Sequence, residues 1–235
     1  MSKDTKRGYV PEDEKEFKGI QLEKLQTAAE ELFYLLNRNY KIKSSSTFIG
    51  NHYMFSERQR LALARAVSSA TDIKFRKEKQ IMDSKTVQEV NIDGFNVIIT
   101  LEVALSGSPI FECMDGSIRD LAGLRGTYRI IDKTEIAAEL ILKWLDNMQI
   151  QKANIYLDAP VSNSGRLKVL IEEKAEKYHV NIRINVINNV DMVLEKLPFI
   201  ITSDAIILNK CKSWINMNKE IIEDEIKDAW YIKLL

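Results

Sequence analysis

The chain reads as an α/β protein, a three-layer domain with a mostly parallel sheet, preceded by an N-terminal helical unit. Three observations predict this. From residue 89 to the C-terminus, short β-rich runs alternate with helical patterns, the signature of a parallel sheet. Residues 19–75 carry helical periodicity alone. Of the 235 residues, 45% are hydrophobic and 29% charged, the balance of a globular chain with a real core.

Residues 1–18 are polar and charged, broken by Gly8 and Pro11, and are expected to be a mobile tail. From Gln21, the residues Leu22, Leu25, Ala28, Ala29, Leu32, Leu35 and Leu36 recur at helical spacing as far as Asn37–Asn39. "KSSSTFIG" suggests a short helix stopped at Gly50-Asn51. "SERQRLALARAV" opens with Ser56, and Gln59 follows in capping-box position. Leu61, Leu63, Ala64 and Val67 then form an apolar face, with Arg58, Arg60 and Arg65 projecting elsewhere. This predicts a three-helix unit over residues 19–75, loosely helix-turn-helix-like in its second and third helices. The charged stretch 72–88 is a connection, and the α/β domain occupies residues 76–235.

Within that domain "VQEVNID" is a strand. "NVIITLEVAL" fits either a strand or a helix, because Val97, Ile98, Ile99 and Thr100 favour β and "LEVAL" favours helix. "SPIFECMDG" is a strand ending in a turn, and "TEIAAELILKWLDNMQ" an amphipathic helix with Thr134 as N-cap. "KANIYLD", "VNIRINVIN" and "PFIIT" are strands; "RLKVLIEEKAEKYH", "VDMVLEKL" and the segment after Asp204 are helices. The last run, "MNKEIIEDEIKDAWYIKLL", is amphipathic and either packs on the domain or joins two chains into a homo-oligomer.

Net charge is zero but unevenly spread. Residues 1–90 hold 17 Lys/Arg against 13 Asp/Glu, and residues 91–235 hold 17 against 21. Residues 38–79 alone hold ten basic and three acidic residues, a surface for a polyanion or simply a solvated helical face. Cys113 and Cys211 are far apart, and His52 and His179 have no partner in motif spacing, so a disulfide framework, a zinc site and a nucleophilic triad lack support. No GxxxxGK[ST] or GxGxxG occurs. The N-terminus has no apolar h-region and no apolar run is long enough to span a bilayer, so the expectation is a reduced, cytoplasmic protein without a membrane partner.

"EVNIDGFNVI", residues 89–98, interrupts an apolar segment with Asp93, Gly94 and Asn96, where burial of a charge is expensive. Two further strands end likewise: "IYLD" at Asp158 and "IITSD" at Asp204. Each aspartate alone is also ordinary turn or capping chemistry. At the carboxyl ends of parallel strands all three would meet at one edge, where like charges repel unless a cation or shared protons offset them. Hard oxygen ligands of this kind suit Mg²⁺ or Mn²⁺ and the hydrolysis of phosphoesters by a metal-activated water. "MDGSIRDLAGLRGTYR" adds Arg119, Arg125 and Arg129 as candidate phosphate contacts, the alternative being a surface loop with Arg–Asp pairs. "SNSG" adds Ser162 and Ser164 as an anion-binding turn before a helix. Arg58 and Arg60 of the helical unit would guide a nucleic-acid strand.

"NIDGFNVI" resembles the first-strand motif of PIN-like and NYN-type nucleases, and "ITSDAIIL" resembles their late Thr/Ser-Asp motif. This resemblance implies metal ligands at Asp93 and Asp204, polar supports at Asn96 and Ser203, and Asp158 as middle acid. It often draws a further acid from a central helix, a place open to Glu102 or Asp120. The segments from "LFYLLNRNYKIKSSSTFIG" through "DGFNVIITLEVAL", "DGSIRDLAGLRGTYR" and "LDAPVSNSG" to "TSDAIIL" also resemble the family called domain of unknown function 434, over roughly residues 20–212. The resulting expectation is a metal-dependent nuclease acting on RNA, with Asp93, Asp158 and Asp204 holding the metal. Its competitors are a non-catalytic nucleic-acid-binding or regulatory module and a small-nucleotide phosphohydrolase.

Overall fold

Leu25, Ala28, Ala29 and Leu32 form one stripe of a helix and are fully buried, which fixes how the N-terminal unit packs. In the computed structural model, which describes residues 5–123 and 126–235, this unit comprises α1 (Asp13–Glu16), α2 (Gly19–Leu36), α3 (Ile42–His52), α4 (Glu57–Ala66) and α5 (Ala70–Lys79). The Ser56–Gln59 capping box forms as read, with both of its hydrogen bonds present. Three expectations change. The helix expected to stop at Gly50 runs through it to His52, since Gly50 is a packing site: a Cβ there would lie 2.7 Å from Arg60 Cγ. The charged connection contains helix α5, capped by the Ser69 hydroxyl on the Asp72 amide and anchored by buried Arg76. The N-terminal segment is docked. Asp13 is fully buried and takes both Nε and Nη2 of Arg58, at 2.6 and 2.7 Å, and Phe17 packs edge-on against Phe111.

The main sheet is built from β1 (Glu89–Asp93), β4 (Lys152–Asp158), β5 (Asn181–Ile187) and β6 (Ile200–Ile201), all parallel, in the spatial order β5-β4-β1-β6. In order of appearance this is 3-2-1-4, the doubly wound arrangement in which the chain turns outward from its first strand on both sides. Helices α6 (Gly94–Leu105), α7 (Asp132–Asn147), α8 (Ser164–Ala175) and α11 (Met217–Glu225) cover one face and bury Val90, Ile92, Ile155 and Ile201 of the strands. The short α9 (Val190–Leu194) and α10 (Ala205–Lys210) cover the other around Ile200 and Trp214. The ambiguous "NVIITLEVAL" is therefore helical. Thr134 stands at N3 of α7, where its Oγ1 accepts from the Ile131 amide; the N-cap residue is Ile131.

A second sheet, β3-β2-β7, is made by β2 (Ile110–Glu112), β3 (Ile118–Asp120) and β7 (Tyr231–Lys233). Ile110 and Ile118 pack into the main core, whereas Phe111, Cys113 and Ile232 pack against the helical unit. The small sheet thus joins the two parts. The C-terminal amphipathic run divides into α11, which packs on its own domain, and β7, which pairs with β2 and faces the helical unit. Among the described residues no helix is long and apolar enough to cross a membrane.

Gly94 permits α6 to start directly off β1. A Cβ at that position would lie 2.6 Å from Leu157 Cδ2 and 2.9 Å from the Tyr156 carbonyl oxygen, so α6 can press on β4 only without a side chain there. Gly94→Ala is expected to lower stability by about 1–3 kcal/mol through overpacking. Thermal unfolding of the variant checks this; an unchanged Tm would show that α6 does not need the close approach.

Candidate active site

In a 3-2-1-4 sheet the connections leaving the adjacent first and fourth strands run to opposite faces, and a crevice opens beyond the carboxyl ends of those strands. Here that crevice lies between β1 and β6, and each of the four parallel strands sends an aspartate into it. Asp93 is the last residue of β1 and Asp158 the last of β4. Asp204 follows β6 as N-cap of α10, and Asp191 lies in the first turn of α9, just beyond β5. Asp120, the end of β3, makes a fifth. The cleft holds about 520 Å³, and its remaining lining includes Ala64 and Arg65 of α4, Phe95, Asn96, Ile99, Arg119, Ser203 and Ile206.

A short hydrogen-bond network fixes the first and last strands relative to one another. Asn96 Oδ1 accepts from the Ser203 amide at 2.8 Å and from its hydroxyl at 3.0 Å. Thr202 Oγ1 donates to Asp93 Oδ2 at 2.8 Å and accepts from the Asp204 amide at 3.1 Å. Asn96 and Ser203 are the two polar supports named from the sequence, and the structure brings them into direct contact. Asp204 Oδ1 caps α10 through the amides of Ile206 and Ile207, while Oδ2 makes no hydrogen bond among the described residues. Asp204 is thus both a cap and a lining carboxylate. Asp158 accepts from the Val190 amide.

The electrostatics follow from crowding acids at one edge. Burial pushes the Asp93 carboxyl up from an ordinary 3.8 to about 7; the Thr202 hydroxyl opposes this, and the charges of Asp191 and Asp204 add to it. Burial likewise raises Asp120, partly offset by Arg65, and raises Asp158. Asp191, at the exposed rim, is raised by desolvation and then by Asp204 and Asp158.

Other residues singled out from the sequence lie elsewhere. Glu102 is on the far side of α6, fully buried, bonded to Arg7, Tyr128 and Thr134. Because α6 is helical, its position six residues after Asn96 takes it off the cleft. Arg119 lines the cleft but is only 7% exposed, its donors spent on Asp115, the Ser203 carbonyl and the Arg65 carbonyl. Arg58 is paired with Asp13, and Arg60 holds the Phe55 carbonyl and Asn51 Oδ1. Arg129 is exposed outside the cleft, and Arg125 falls outside the described residues. The Ser162 hydroxyl is bonded to the Tyr128 backbone, and Ser164 is buried at the start of α8, both away from the cleft. Asp191 was missed. Its signal was an acid just past a strand, in "INVINNVD", at the same edge as the other three.

Fold and cleft together define a doubly wound α/β domain with an acidic cleft at its switch point, walled on one side by a helical unit. The chain belongs to the family described as Domain of unknown function (DUF5616), which matches residues 82–220. Protein of unknown function (DUF434) matches residues 24–79, so the resemblance drawn over residues 20–212 holds for the helical unit, and the α/β part is matched by the former family. An uncharacterized protein of Methanocaldococcus jannaschii is 36% identical over 203 residues, covering 85% of this chain and 97% of that protein. No solved structure gives a significant match. The PIN-like and NYN-type resemblance has no counterpart among these matches.

Asp93 binds its proton more tightly in the folded chain than in the unfolded one, so metal-free protein should lose stability as pH rises from about 4 to about 7. In chelator, Asp93→Asn should melt higher than wild type above pH 7 and lack this decline. Adding Mg²⁺ should raise the Tm of wild type and leave that of the variant nearly unchanged. Parallel Tm–pH curves for the two proteins would contradict this electrostatic picture.

Proposed function

We propose that this protein is a PIN-like, Mg²⁺- or Mn²⁺-dependent phosphodiesterase that hydrolyses RNA. One observation carries the reading: all four parallel strands deliver an aspartate to the same cleft at the switch point. Four carboxylates gathered by four separate elements cost stability, and a chain that needed only turns or caps would not have to gather them.

The donor set is consistent with a hard divalent ion. Every candidate ligand is a carboxylate oxygen, and the cleft has room for water. No group of three or more His, Cys, Asp or Glu side chains among the described residues is arranged as a cage for a metal ion. Mg²⁺ does not need one, since it is commonly held by one or two carboxylates with several waters retained. Asp93 and the free Oδ2 of Asp204 would hold the ion, which supplies Lewis-acid stabilisation of charge on a phosphoester and a water of lowered pKa. The Asn96–Ser203 and Thr202–Asp93 bonds keep the two carboxylates in place without reorganisation. Asp158 and Asp191 face the same space from the side and can orient the attacking water and accept its proton.

A second reading, a small-nucleotide phosphohydrolase, is favoured by a separate observation. The two arginines of the helical unit expected to guide a strand are tied up, Arg58 on Asp13 and Arg60 on Asn51, and Arg76 of the same basic stretch is buried on Asp115. This shortens the basic track available to a long polyanion.

Purified protein incubated with labelled single-stranded RNA and Mn²⁺ should cleave it, and chelator should stop the reaction. Asp93→Asn, Asp191→Asn and Asp204→Asn should each lower kcat by about 10²–10³. Cleavage that persists in all three variants would point to a contaminant. Release of phosphate from mononucleotides with RNA left intact would select the second reading.

A further inference from the structure

The cleft has an electrostatic problem that the aspartates create. Five carboxylates line it, and a phosphoester entering beside them is itself an anion. A divalent ion offsets part of that charge, and the rest calls for a cation in the wall. Among the described residues lining the cleft, the cationic side chains are Arg65 and Arg119. Arg119 is committed: its Nε, Nη1 and Nη2 donate to Ser203, Arg65 and Asp115 respectively, and it is nearly buried.

Arg65 differs. Its Nη1 donates to the Asp120 carbonyl, and the same atom lies 3.7 Å from Asp120 Oδ1, beyond good hydrogen-bonding distance. Its Nε and Nη2 make no hydrogen bond among the described residues, and the side chain is 33% exposed. The cleft lining also includes Ala64, Ala122 and Ala205, whose side chains are small. The backbone of Arg65 is held in turn, since its carbonyl accepts from Arg119.

We propose that Arg65 is the phosphate-binding residue of this cleft. It reaches across from the helical unit to clamp a nonreacting phosphate oxygen of a nucleotide while the aspartates serve the opposite side. A planar guanidinium with Nε and Nη2 free presents the two-pronged donor that phosphate oxygens fit. The proposal rests on the phosphodiesterase reading of the acidic cleft and deepens it. The helical unit becomes one wall of the site, and the residues matched by DUF434 and DUF5616 build one cleft together.

The test uses the full chain and two probes, adenosine 5′-monophosphate and a short single-stranded oligoadenylate, each titrated in Mn²⁺ by calorimetry. Wild type, Arg65→Met, Arg65→Lys and Asp93→Asn are compared, and Mn²⁺ binding alone is measured for each. Arg65→Met should bind Mn²⁺ as wild type does but bind the phosphate probe about 10- to 100-fold more weakly, with Arg65→Lys in between. Tight binding of the monophosphate would identify a free nucleotide as the phosphate source, and binding of the oligomer alone a strand; either supports the clamp. Unchanged probe affinity in Arg65→Met, or no probe binding by wild type, would overturn it. Failure of the acidic-cleft reading would register separately, as Mn²⁺ binding that is absent in wild type or intact in Asp93→Asn.

Discussion

Asp115 is buried between two guanidiniums, and most of the architecture around the cleft hangs on that contact. Arg76 of α5 and Arg119 of β3 each approach Asp115 Oδ2 at 2.6 Å, while the Ser117 amide and hydroxyl satisfy Oδ1 at 3.0 and 2.6 Å. Burial by itself would raise this carboxyl; Arg119, Ser117 and Arg76 outweigh it and hold the pKa down at about 2. Each guanidinium then reaches further. Arg76 donates Nε to Asn209 of α10 and its carbonyl receives the Trp214 indole, whereas Arg119 donates Nε to the Ser203 carbonyl. One carboxylate thereby ties the helical unit, the small sheet and the segment carrying Asp204 into a single arrangement. Removing Asp115 would leave two buried guanidiniums without their shared carboxylate, a loss of about 3–5 kcal/mol.

The cleft is built on that tie. The Thr202–Asp204 segment is gripped from one side by Asn96 and from the other by Arg119. Its position relative to Asp93 is therefore set before any ligand arrives, as expected of a preorganised polar site. The acids of the cleft act oppositely to Asp115. Asp115 is stabilised by its surroundings, whereas Asp93 is buried with too little positive charge nearby, and burial raises it to about 7. Asp115 is met by two guanidiniums, whereas Asp93 is met by the Thr202 hydroxyl.

Much of this was legible from residue order. The alternation of strands and helices, the Ser56 capping box and the aspartates ending "VNID" and "IYLD" all stand where periodicity and turn chemistry placed them. The contact between Asn96 and Ser203 joins "DGFN" to "TSD" through the two residues named as polar supports. What was not legible depended on tertiary contacts. Helix α5 looked like a linker because its exposed face is charged and its anchor is a buried arginine, which no hydrophobic pattern reports. The strand β7 is three residues long and hid at the end of an amphipathic run. Arg58, Arg60 and Arg119 looked available because sequence does not reveal which carboxylates and carbonyls they meet. Asp191 escaped because it lies past the end of its strand, brought to the edge by a left-handed turn at Asn189, φ 56°.

The central claim is that the edge where the four strands end holds a divalent cation. Diffraction from a crystal equilibrated with Mn²⁺, recorded at the manganese absorption edge, tests it directly. The account requires an anomalous peak within coordination distance of Asp93 and Asp204, at the switch point between β1 and β6. An empty cleft at saturating Mn²⁺, or a peak only at other surface carboxylates, would contradict it.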